Sequence, residues 1–311
     1  MTRRSPDVLD LVPSARASAS MAIDVVSSPP SDVTTLGVSV ASGGEVPPEL
    51  EVSREELSAA GFGGEVGQAI ALPGTDPLRI AFGVGEMAQL DAAALRDAAA
   101  ALALAAWTHT KLALALPDDS GLEVESAAAA AVEGAVLARY GYDALRAEPE
   151  GMPLEQLTVI AAETEGAARG ARRGGAMASA TQLAGDLANA PPGYMTATAI
   201  AEVAVTLAAE HGLEAEVLDE QALLELGCGG MLGVNRGTVE PPRMVKLSYK
   251  PGAETGRLAL VGKGVMCREH AVGHGCAPRR RSHDPRWQDR GGDQHRRRGP
   301  ADHGRRARHG H

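Results

Sequence analysis

Lys263 ends an aliphatic run, Leu258-Ala-Leu-Val-Gly-Lys263-Gly264, and is flanked by glycines on both sides. A lysine set on such a turn can meet a phosphate or a metal, or simply stand in solvent. The phosphate loop is excluded by spacing. Its first glycine would have to fall at Arg257, Gly256 is one residue too far away, and Gly264 sits where a Ser or Thr must reach magnesium. Cys267, His270, His274 and Cys276 follow closely. Their Cys-x2-His-x3-His-x-Cys pattern is a poor zinc spacing, and the residues after it hold almost no aliphatic side chain to support a folded knuckle. The arginine runs 279–281 and 296–298 could meet nucleic acid electrostatically, but a basic run alone names no partner.

These residues lie on either side of a change in character. Residues 1–265 are rich in Ala, Val and Leu, with turn residues between periodic segments. Residues 266–311 hold twelve of the 26 arginines, seven of the nine histidines and two of the three cysteines, with no lysine. Such a segment cannot build a core. Its formal charge is +7 in a chain of −10, so the body carries −17. That acidity argues against non-specific binding to nucleic acid or anionic membrane, which needs clustered cations. A body with one cysteine, Cys228, fits a reducing compartment. No apolar run reaches the roughly 18 residues that span a bilayer, since Arg96 and Asp97 interrupt the nearest, 92–106. A cytoplasmic protein is the expectation.

Within the body, short aliphatic runs alternate with Ala-rich helical stretches, the pattern of a layered α/β fold. Strands are predicted at 22–26, 35–40, 78–82, 111–116 and 156–161, with helices at 90–107 and 122–140. Ser53-Arg-Glu-Glu56 matches a capping box and predicts a short helix. A long helix over 166–190 should stop at Asn189-Ala-Pro191-Pro192, because proline disfavours helix in the residue before it. Thr196 or Thr198 then caps a helix running to Glu210, and a strand follows at 214–218. Asp219 caps a helix over 220–226, the cluster Gly227–Gly230 turns, and further strands are predicted at 244–249 and 258–261. The domain plan is a disordered lead (1–20), an N-terminal α/β domain (21–160), the first part of a second α/β domain (161–265) and a disordered basic tail (266–311).

Three segments together resemble one family. They are Asp186-Leu-Ala-Asn189-Ala-Pro-Pro192, Leu226-Gly-Cys-Gly-Gly-Met-Leu-Gly-Val-Asn-Arg236-Gly-Thr-Val-Glu-Pro-Pro242, and Val261-Gly-Lys263-Gly264. Singly, the first is an ordinary helix stop and the second an ordinary turn; in this order and spacing they resemble the leucyl (cytosol) aminopeptidases. The match covers about 160–265, while 21–160 fits the family's N-terminal, macro-like domain in its α/β pattern and position. The resemblance implies a metallopeptidase that releases N-terminal amino acids from peptides, using two divalent metals, Mn or Zn, in a homo-hexamer. It also implies that Lys263 is a metal ligand, which an amine can be only as its free base.

The rest of the implied site departs from the family. Arg268 stands where the resemblance places the next carboxylate ligand, Gly275 where it places a catalytic lysine, and Arg286 where it places an aspartate. The remaining acidic pair and arginine would lie beyond His311. A guanidinium in place of a bridging carboxylate repels dications, so no bound metal and no peptidase activity are expected of this chain. Metals would otherwise polarise the scissile carbonyl and activate water. The alternative is a non-catalytic binding protein built on the N-terminal domain.

The break at Met266–Cys267 falls inside a motif, which no domain boundary would choose. GC-rich codons read out of frame yield mainly Arg, Gly, Pro, Ala and His, the tail's alphabet, so a reading-frame shift is expected there. Reading codons 255–320 of the gene in all three frames should show a neighbouring frame resuming with Asp-Ser/Thr-Gly-Gly and a Lys-Pro motif. If no frame does so, the tail is genuine and the binding-protein alternative moves ahead.

Overall fold

The structure is a computed structural model that describes residues 7–16, 21–118, 120–148, 152–252 and 256–264. Its first sheet contains β1 (Ala22–Val26), β2 (Thr35–Ala41), β3 (Ala69–Leu72), β4 (Leu78–Gly85), β5 (Lys111–Ala115) and β6 (Gln156–Ile160), in the order β1-β6-β5-β2-β4-β3. All neighbours are parallel except β3 and β4. Parallel strands need both faces covered, and here both are. Leu36, Val38 and Val40 of β2 face one side with Ala81 and Ala113, where Leu50, Leu57 and Phe62 cover them. Ile80, Phe82, Leu112, Leu114, Leu157 and Val159 face the other.

Three helices close that second face: α2 (Ala92–Ala105), α3 (Val124–Ala138) and α4 (Thr164–Asn189). Their alanines bury little area each but allow the backbones to approach closely. A Cβ at Gly134 would lie 2.1 Å from the Arg96 carbonyl oxygen of α2. One at Gly170 of α4 would lie 2.0 Å from the Glu125 carbonyl oxygen of α3. Dispersion between whole backbones thus replaces the interlocking of large side chains. Caps fix where helices begin. Ser53 and Glu56 form the full capping box of α1 (Arg54–Ala59), and Asp91 accepts from the Ala94 N–H of α2 at 2.8 Å.

The second part continues from α4, whose first half packs in the first sheet's core through Ala167, Ala171 and Ala178. After Pro191-Pro192 come α5 (Ala197–Glu210), capped by Thr196, β7 (Glu214–Leu218), α6 (Glu220–Glu225), capped by Asp219, α7 (Gly229–Asn235) and β8 (Met244–Ser248). Strands β7 and β8 form a two-stranded antiparallel sheet. Among the described residues, no helix is long and apolar enough to cross a membrane.

Three expectations need correction, and one strand has no counterpart among them. The lead is ordered at 7–16: Leu11 and Val12 are 1 % and 0 % exposed, because Pro13 starts a tight 3-10 turn rather than ending structure. β3 was not predicted, since Ala69-Ile-Ala-Leu72 has weak strand propensity; pairing with β4 from Ala69–Phe82 to Leu72–Arg79 overrides it. The glycine cluster turns at Gly227, where φ is 71°, but Gly229 already begins α7. Finally, 258–261 is not a strand. Leu258, Leu260 and Val261 are 87 %, 89 % and 96 % exposed, and no strand edge among the described residues pairs with them. Residues 266–311, including Cys267, Arg268, His270, His274, Gly275, Cys276 and Arg286, lie outside the described residues.

Gly170→Leu should force α3 and α4 apart and destabilise the protein by about 1–3 kcal/mol, the usual range for overpacking. Gly43 has open space around it, so Gly43→Ala should stay within about 0.5 kcal/mol of the parent. Equal midpoints for the three proteins in urea unfolding would contradict the close-contact account.

Candidate functional site

The three segments that carry chemistry in the sequence fall in three different settings. Asp186-Leu-Ala-Asn189-Ala-Pro-Pro192 ends α4 and is partly enclosed. Asp186 is a fully buried carboxylate. Its Oδ2 accepts from the Ser14 backbone N–H at 2.8 Å and its Oδ1 from the Tyr140 hydroxyl at 3.0 Å. Asn189 donates its side-chain amide to that same hydroxyl at 3.2 Å. Tyr142, two residues on, donates to the Leu11 carbonyl at 3.0 Å. A buried carboxylate is tolerable only when its oxygens are engaged, and both are.

The tyrosines register this setting. Burial pushes the Tyr140 hydroxyl up to about 12, with the neighbouring Asp186 adding to the rise and Asn189 opposing it. Tyr142 is also pushed up, first by burial and then by the Asp186 charge. Neither tyrosine, nor Ser14, was singled out from the sequence, because a Tyr-Gly-Tyr after a helix carries no periodic signal. Beside them, Arg139 donates to the Ala106 and Trp107 carbonyls at 3.1 and 2.9 Å, closing the C-terminal end of α2.

The second segment lies nearer the surface. Gly227 supplies the left-handed turn after α6, and Asn235 at the end of α7 donates its amide to the Glu240 carbonyl at 2.9 Å. Thr238 accepts from the Glu240 N–H at 3.1 Å, so the loop before Pro241-Pro242 is held by its own residues. Val234 and Val239 nonetheless stand 77 % and 82 % exposed.

Lys263 lies in the third segment, in irregular and exposed chain. Among the described residues, no three His, Cys, Asp or Glu side chains come together as metal ligands. A two-metal centre needs several carboxylates around a shared point. The described residues therefore do not fit such a centre. They offer Lys263 and no acidic cage beside it. A shallow depression of about 450 Å³ lies elsewhere, bordered by Pro30, Val33, Glu49, Asp76 and Arg79. It opens near the beginnings of β2 and β4, opposite to the strand ends where parallel sheets usually bind ligands.

Comparison with known proteins gives these motifs their context. The cytosol aminopeptidase family's N-terminal domain matches residues 50–149, and its catalytic domain matches residues 182–268. The chain belongs to the cytosol aminopeptidase family. A probable cytosol aminopeptidase of Leifsonia xyli subsp. xyli is 36% identical over 213 residues, covering 68% of this chain and 42% of that protein. One from Streptomyces avermitilis is 36% identical over 273 residues, covering 80% and 51%. The chain spans about half the length of the curated relatives it matches. Among solved structures, the bottromycin maturation enzyme BotP in complex with Mn superposes with a TM-score of 0.61 at 35% identity, over 72% of this chain and 46% of BotP. A mutant tomato leucine aminopeptidase shares the fold, with a TM-score of 0.66 at 21% identity over 75% and 52%. The family and the α/β fold read from the three segments are thus met on both halves of the body.

The raised Tyr140 value has a sign that can be tested. Below pH 10 the tyrosine is neutral in folded and unfolded chains alike. Between its ordinary value near 10 and about 12, only the unfolded chain loses the proton, so stability falls as pH rises through that window. Tyr140→Phe should flatten this fall in urea-unfolding measurements between pH 9.5 and about 11.5. An undiminished slope in the variant would place the effect on other groups.

Proposed function

We propose that this chain carries the N-terminal domain and the opening segment of a metallo-aminopeptidase, and that as written it does not hydrolyse peptides. The family's reaction, release of N-terminal residues from peptides with two divalent metals, belongs to proteins with the whole ligand set. The observation that carries this reading is the setting of Lys263. It is the one ligand position that the chain matches, and it stands exposed with no acidic group of three gathered anywhere among the described residues. The sequence adds Arg268, Gly275 and Arg286 where the resemblance calls for two carboxylates and a lysine.

Charge explains why those substitutions matter more than ordinary ones. A carboxylate between two dications supplies much of the binding and screens their mutual repulsion. An arginine there remains charged at any pH the protein survives and adds repulsion of its own. Conditions that favour metal binding by ordinary sites, such as higher pH, therefore offer no rescue.

The second reading, a non-catalytic binding protein, draws on the completeness of the first sheet. Both of its faces are covered, and its core residues include Ile80, Phe82 and Leu114 at 0 % exposure. That part can persist without catalysis, and limited proteolysis separates the two readings. A stable fragment ending near residue 265 favours the binding protein, whereas protection that stops within α4, after the Ala167, Ala171 and Ala178 that pack in the first sheet's core, favours a broken enzyme.

The direct test uses the purified 311-residue chain. With Mn or Zn added in excess, hydrolysis of leucyl-p-nitroanilide should remain at the buffer rate, and calorimetry should show no stoichiometric uptake of either metal. Activity that co-purifies with the chain and disappears with chelator would overturn the proposal.

A further inference from the structure

We propose that residues 7–16 form a separable clasp on the corner between α4 and α5, anchored by Asp186, and that its docking orders the turn Asn189-Ala-Pro-Pro192. The clasp is two short 3-10 turns, Val8–Asp10 and Pro13–Ala15. Neither belongs to a sheet. Its apolar side chains Leu11, Val12 and Ala15 bury themselves with Ala190, Met195 and Val203, on both sides of the double proline. The first turn meets α5 and the second meets α4.

A polar lock lies beside this apolar seat. The Ser14 N–H reaches Asp186 across 172 positions of sequence, and the Tyr142 hydroxyl reaches the Leu11 carbonyl across 131. Undocking would strip Asp186 of one of its two donors while the Tyr140 hydroxyl still held the other. Water must then enter, which loosens the last turn of α4 and the segment that follows. Docking and order at the corner are therefore one event. The first sheet is not part of that event, because its two faces are covered by residues of α1 to α4 and the loops that join them. Local opening of such a unit without global unfolding is the expected behaviour of a segment with few partners beyond its seat. The inference concerns order at the corner and stands whether or not the chain hydrolyses peptides.

Hydrogen exchange on the full-length chain, followed by mass spectrometry, tests it. Ser14→Pro deletes the donating N–H, and Leu11→Asp places a charge in the apolar seat. Either change should speed exchange across residues 186–203 at least tenfold while leaving β4 and β5 unaltered. Combining Ser14→Pro with Asp186→Ala should give no more than Asp186→Ala alone, because losing the carboxylate already removes the Ser14 bond together with the one from Tyr140. Should the proline variant fail to fold, Tyr142→Phe, which loses only the hydroxyl on Leu11, is read by the same criterion. Unchanged exchange at 186–203 in Leu11→Asp and in the bond-deleting variant would overturn the clasp. So would a uniform rise that includes β4 and β5, because the segment would then be an inseparable piece of the core.

Discussion

Backbone-to-backbone contact between α3 and α4 is the constraint from which the rest of this architecture follows. Gly170 and Gly174 set the α4 backbone against the carbonyls of Glu125 and Ala129, closer than any side chain would allow. Ion pairs of Arg169 and Arg173 with Glu125 border the same seam, but their arginines are about half exposed and solvent screening leaves them a small contribution beside it. Since α4 runs 26 residues, fixing its first half on the sheet also fixes where its last turn emerges. That last turn holds Asp186 and Asn189. The position of the double proline, of α5 and of the N-terminal clasp is thus set by glycines that lie several turns away.

Much of this was legible because the sequence is locally consistent. The strands β1, β2, β4, β5 and β6 are short aliphatic or β-branched runs bounded by turn residues, and each was placed within a few residues of its observed limits. Ser53, Thr196 and Asp219 could be read as caps because the capping chemistry is local. What could not be read depends on partners distant in sequence. β3 exists because β4 offers it an edge, and the clasp exists because Asp186 and Met195 wait 172 or more positions away. Segment 258–261 shows the converse. Its Leu-Ala-Leu-Val pattern has strand character, but among the described residues it pairs with no strand.

The candidate site divides in the same way. Wording and spacing of three segments were enough to name the family, because a motif is a property of the chain. Whether Lys263 can serve as a ligand is a property of what surrounds it, and that demands carboxylates brought in from elsewhere in the fold. In the sequence Asp186 is part of a motif and carries no role of its own. The structure gives it one that chemistry alone would not suggest, since a carboxylate in this region invites a metal reading while both of its oxygens are already committed to Ser14 and Tyr140.

Burial is distributed unevenly along the chain, and this uneven distribution has an energetic meaning. The first sheet and its helices enclose Phe82, Leu95, Leu102 and Leu157 completely. Each such side chain contributes roughly 1.5–3 kcal/mol relative to exposure. Past α5 the only large apolar residue enclosed to that degree among the described residues is Leu223, while Leu224, Leu226, Val234 and Leu247 face outward. A two-stranded sheet such as β7–β8 is at best marginal in water by itself. It is held here through contacts with α5 and α6, and α5 in turn rests on the corner that the clasp seals. Stability therefore passes outward from the glycine seam to α4, from α4 to the corner, and only then to the segments where the family places its chemistry.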